Sequence, residues 1–164
     1  MLDPQDLYAI TGEGAEQLAE VGGQRPVLVQ ALTGFVDAGG ATELVREHLL
    51  ASSDADDNGQ LVASFDIDQL LDYRSRRPTM IFVEDHWEEY EEPSLGLHLL
   101  RDQAGTPYLL LGGPEPDLHW ERFITATTGL IERFNVRLTV GLNAIPMAVP
   151  HTRALGVTAH ASRR

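Results

Sequence analysis

Short apolar runs bounded by glycine, proline or charge punctuate the chain: Val27-Leu28-Val29, Met80-Ile81-Phe82-Val83 and Tyr108-Leu109-Leu110-Leu111. Continuous runs of this length predict strands covered on both faces. From Val136 to Leu142 the apolar residues instead alternate with Arg137, Thr139 and Gly141, which predicts a strand with one face less fully covered. Residues 61–65 and 95–100 are two further strand candidates.

Residues 117–134 carry Trp120, Phe123, Ile124, Thr127, Leu130, Ile131 and Phe134 at three- and four-residue steps, the stripe of a helix lying on a sheet. Pro116 and Asp117 mark its expected start, since proline needs no amide partner in a first turn and aspartate caps it. A second helix is expected over residues 38–50, directly after the first strand. Strand, glycine turn and helix in alternation predict a single α/β domain with a mostly parallel, mixed sheet. Residues 156–160, Gly-Val-Thr-Ala-His, read as another strand beginning close to the end of the sequence, so the domain is expected to be the N-terminal portion of a longer one.

At 164 residues the chain suffices for one domain held by a plain hydrophobic core. It has no cysteine, which removes thiol nucleophiles, disulfides and thiolate metal sites and suits a reducing cytoplasm. Lysine is absent as well, so no Walker lysine and no Schiff-base lysine is present among the twelve basic residues. A net charge of −13 repels a phosphate backbone and argues against nucleic acid as a partner. The first ten residues hold Asp3 and Asp6 in place of a basic patch and apolar core, and no apolar run approaches a membrane span. A soluble cytoplasmic protein with no membrane partner is the expectation.

Candidate chemistry is sparse. Asp54-x-Asp56-x-Asn58-Gly59 matches the first half of a calcium loop, but the twelfth position is Phe65, where a bidentate glutamate is required. Glu115, Asp117, His119 and Glu121 lack the spacing of a metal site, and no G-x-S-x-G or other nucleophile motif occurs. No catalytic residue, metal or cofactor is therefore assigned. The turn from Gly34 to Gly40 between strand and helix is a place for an anion, yet Asp37 sits at the helix start, so the turn reads either as a cap or as a pocket wall. The segment Pro146-Met147-Ala148-Val149-Pro150-His151-Thr152-Arg153 stiffens its loop with two prolines just beyond a predicted strand. Ligands gather at the carboxyl ends of strands in open α/β sheets, so Asp37, Glu115, Asp117, His151, Thr152 and Arg153 form a candidate pocket. A structural loop is the alternative for the last three.

Residues 84–92 hold six carboxylates, with Trp87 and Tyr90 among them. Charge runs usually mark a solvated loop, but aromatic residues inside one suit a binding surface. With the opposite charge of Arg74, Arg76 and Arg77, the residues Trp87, Glu88, Glu89 and Tyr90 make a candidate contact for protein partners or for a second copy.

Four segments in order, Gly34 to Ala41, Asp72-Tyr73-Arg74 with Arg76-Arg77-Pro78, Gly113 to Trp120, and Pro146 to Arg153, resemble the proteasome assembly chaperone family of the second-subunit type in its actinobacterial form. The resemblance implies a three-layer αβα sandwich of the phosphorylase/hydrolase-like type and a non-enzymatic role in protein interaction or assembly. Its eukaryotic and archaeal relatives help assemble proteasome α-rings. Ala154 stands where the family has proline. It also implies later elements that complete the sheet, so this chain is expected to expose an apolar sheet face or edge and to self-associate. The fold alone suggests the alternative function, a nucleoside-like or carboxylate ligand in a strand-end pocket.

Overall fold

A computed structural model of the chain describes residues 3–52 and 59–162. Asp54, Asp56 and Asn58 of the incomplete calcium motif lie outside the described residues. In chain order the elements are β1 (Tyr8–Ile10), α1 (Gly12–Val21), β2 (Val27–Thr33), α2 (Ala41–Ala51), β3 (Gln60–Phe65), β4 (Met80–Val83), β5 (His86–Tyr90), β6 (Gly96–Arg101), β7 (Pro107–Pro114), α3 (Trp120–Arg133) and β8 (Leu138–Gly141). Six strands join in one sheet in the order β1-β3-β6-β7-β2-β8, and β4 pairs with β5 alone.

The sheet is mixed, with its parallel pairings confined to one side, so it is less parallel than its pattern implied. Strands β7 and β8 flank β2 and run parallel to it. The β1–β3, β3–β6 and β6–β7 pairings are antiparallel. Parallel strands need a long crossover, which α3 supplies from β7 past β2 to β8, whereas a tight turn suffices for the antiparallel β6 and β7. That turn is closed by the Asp102 carboxylate, which accepts the amides of Ala104 and Thr106 at 2.9 and 2.8 Å.

Side chains alternate across the sheet and find a layer on each face. Leu28, Leu97, Leu99, Leu109 and Leu111 share one buried cluster with Phe123, Ala126 and Leu130 of α3. Ala31, Leu100 and Leu110 point the other way and meet Leu49 and Leu50 of α2. The result is the three-layer arrangement, in which each buried leucine contributes about 2 kcal/mol. No helix of the described residues is long and apolar enough to cross a membrane.

Several expectations change. The run Met80 to Val83 is not a twice-covered core strand but half of a hairpin whose residues are exposed or half-buried. Four apolar residues alone do not distinguish the two, and here the two-residue turn Glu84-Asp85 returns the chain on itself before any helix can cover it. Residues 84–90 are accordingly a turn and a strand, and only the last two residues of the acidic run, 91 and 92, remain loop. The long helix starts at Trp120, because Asp117 and Leu118 both donate their amides to the Leu70 carbonyl and His119 adopts φ 55°. Strand β8 is exposed on both faces, since it forms the sheet edge beyond the cover of α3. Residues 156–160 form no strand and are exposed. The elements β1 and α1 carry no strong apolar period, yet Thr11 between them caps the helix by accepting the Gly14 amide at 3.0 Å and anchors it by donating to the Leu61 carbonyl at 2.7 Å.

On the α2 side, burial holds the His98 imidazole below its ordinary 6.5, with the charge of Arg46 adding to the effect. Its Nδ1 has no hydrogen-bond partner among the described residues. A base with a depressed folded pKa leaves the proton to the unfolded chain first, so the stability His98 permits is intact above 6.5 and is lost as pH falls below it. Urea unfolding at about pH 7.5 and about pH 5.5 checks this: the native chain should lose more stability between the two than His98→Asn. Equal losses would remove His98 from the acid response.

Candidate functional site

Parallel pairing brings the carboxyl ends of β7, β2 and β8 side by side, with Thr33 opposite Pro114 and Gln30 opposite Gly141. The loops that leave these ends stay laced together. Glu115 donates its amide to the Thr33 carbonyl at 2.8 Å, Leu142 to that of Gln30 at 2.9 Å, and Ala38 to that of Ala144 at 2.8 Å. Between them opens a cleft of about 270 Å³ whose lining includes Gln30, Gly34, Phe35, Glu115, Trp120 and Asn143. The Glu115 carboxylate lies directly over the Gly34 backbone: a Cβ on Gly34 would stand 1.9 Å from Oε2. Only glycine leaves room for the carboxylate in this position.

The candidate pocket residues divide. Glu115 lines the cleft, while Asp37 accepts the amides of Thr42 at 2.8 Å and Glu43 at 3.4 Å and so caps α2. The Thr42 amide is the chief reason its carboxyl titrates below the ordinary value, against the opposing effect of burial. Asp117 accepts the Asp72 amide at 3.0 Å and pairs with Arg76 at 2.9 Å. Arg76 in turn donates to the Glu115 carbonyl at 3.0 Å. His151, Thr152 and Arg153 are exposed on a turn closed by the Arg153 amide on the Pro150 carbonyl at 3.0 Å, and do not line the cleft. Among the described residues their side chains have no polar partner. Gln30, Trp120 and Asn143 were missed as lining residues. Gln30 had a signal, a polar residue inside an otherwise apolar strand.

The second candidate region is the β4–β5 hairpin, an arm that pairs with no strand of the six-stranded sheet. Phe82 and Trp87 meet edge to face with centroids 5.0 Å apart across β4 and β5. Even so, Trp87 remains 61% exposed, and Met80, Ile81, Phe82 and Tyr90 are exposed with it. Glu88 is exposed on the same arm; Glu89 pairs with Ile81 through the ladder, and its side chain lies outside those described. Arg74 and Arg77 are exposed near the root of the arm, whereas Arg76 is committed to Asp117 and Glu115. The basic cluster free to meet a partner is thus two residues rather than three.

The sequence model of the PAC2 family matches residues 31–164. Among solved structures, a Mycobacterium tuberculosis protein of unknown function superposes with a TM-score of 0.87 at 53% identity, covering 99% of this chain and 53% of the other. A Corynebacterium glutamicum protein of unknown function gives 0.79 at 43% identity, covering 90% of this chain and 53% of its own. A Mycobacterium tuberculosis proteasome-assembly chaperone homologue gives 0.66 at 29% identity, covering 77% of this chain and 52% of its own. The chain spans about half the length of these relatives. No curated protein matches it.

Proposed function

The chain belongs to the PAC2 family, and from that membership we propose that it is a non-enzymatic, assembly-chaperone-like protein of the cytoplasm that binds protein partners and copies of itself through the β4–β5 arm. The observation that carries this reading is the arm's exposed apolar and aromatic surface, with Trp87 at its centre. A lone two-stranded hairpin is marginal in water, and apolar residues on both its strands gain most when another surface covers them. The acidic residues around them select a basic partner, and Arg74 and Arg77 of a second copy meet that need. The likeness to a proteasome-assembly chaperone homologue supports the same direction.

Sedimentation velocity is the test. The native chain should sediment above the 18.0 kDa of one copy. Trp87→Ala with Tyr90→Ala should weaken association at least about tenfold and return it toward the monomer, the scale of loss expected for central aromatic contacts. A monomeric native chain, or a double variant that associates as well as the native one, would exclude the arm as the self-contact.

A further inference from the structure

We propose that the strand-end cleft is a receptor for an organic cation, an alkylammonium or guanidinium group. Glu115 supplies the formal charge in its lining, and among the described residues no arginine or histidine pairs with that carboxylate. Arg76, the nearby cation, is turned to the Glu115 carbonyl and to Asp117. A half-buried carboxylate without a partner favours a positive ligand, because the ligand restores what burial removed from its hydration. Gln30 and Asn143 add amide oxygens, and Trp120, 40% exposed, adds an aromatic face to which a partly desolvated cation is attracted. Trp120 is held edge-on against Phe123 at 6.0 Å, which fixes its indole at the mouth. A carboxylate or phosphate would meet Glu115 unfavourably, and one carboxylate is too small a ligand set for a bare divalent ion. The volume, about 270 Å³, suits one side-chain-sized group. The net charge of −13 draws cations toward the surface as a whole. None of this depends on the arm.

Two sources present such a group: a free small amine, or a lysine or arginine side chain on a protein. Titration of the ¹⁵N-labelled chain with n-butylammonium and methylguanidinium should shift the Trp120 indole N–H and the amides of Gly34 and Glu115, while n-butanol and butyrate leave them in place. Glu115→Gln should weaken binding about tenfold or more. Gly34→Ala should do the same by pushing the carboxylate off its seat, without touching its charge. Tripeptide amides centred on lysine or arginine then separate the sources. If they bind as well as the free cations, the ligand is a protein side chain; if the free cations alone bind, it is a small amine. Equal shifts with n-butanol, or undiminished binding by Glu115→Gln, would overturn the cation site.

Discussion

Gly113→Ala will lower the unfolding free energy by about 3 kcal/mol or more, the sum of strain at a forbidden backbone angle and overpacking. Gly113 sits in β7 at φ 139°, where side chains are rarely tolerated. A Cβ there would come 2.2 Å from the Ser94 carbonyl oxygen and 2.8 Å from the Leu95 Cα. These are main-chain atoms of the segment entering β6, so no rotamer change relieves them. Contrast Gly34, whose hypothetical Cβ meets the movable end of Glu115. For a domain of this size the loss corresponds to roughly 10 °C in melting temperature. The same change displaces Pro114 and Glu115, which follow directly, so cation binding should fall with stability. A loss under about 1 kcal/mol by urea unfolding would mean that β6 and β7 can separate at this point, contrary to the tight approach described.

Phe123→Ala is expected to cost about 3–5 kcal/mol, the range for deleting a large aromatic side chain from a core. Phe123 is buried where α3 lies on the sheet, with Phe65 at 5.2 Å and Trp120 at 6.0 Å between ring centroids. Alanine would leave a cavity between a helix and strand β3 and remove the edge contact that steadies the Trp120 indole. Phe123→Leu should recover more than half of the loss, since it refills most of the volume. Denaturation midpoints of the two variants decide the matter; a loss below about 1 kcal/mol for alanine would show that the layer can collapse around the gap.

What could be read in advance follows the physics of each segment. The apolar runs of β2 and β7 announced buried strands because both faces are apolar, and Phe123, Leu130 and Phe134 announced α3 because its period is 3.6. Met80 to Val83 carries the same local signal but lacks a covering layer, which only tertiary structure provides. Periodicity is silent on that. The cleft was legible as a location, at strand ends, and in Glu115, but not in its other lining residues. Asp37 and Asp117 looked equally available, and the backbone amides that occupy them belong to segments distant in sequence or to a helix start whose geometry no pattern reveals. Arg76 looked like part of a surface cluster for the same reason: its two partners lie about forty residues further on.

The order of strands in space also dictates an order in time. On a ribosome, β2 emerges early, yet both of its neighbours come late: Val27 must wait for Tyr108 on one side and Leu138 on the other. Until then its hydrogen-bonding edges stay vacant. The antiparallel pair β6–β7 can close locally through the Asp102 turn, giving β2 a prepared rim to dock against, and α3 then carries the nascent chain across to seal the far side. Such non-local zipping is slow and leaves an adhesive strand bare during synthesis. By its own topology the chain gains from being shielded while it is made.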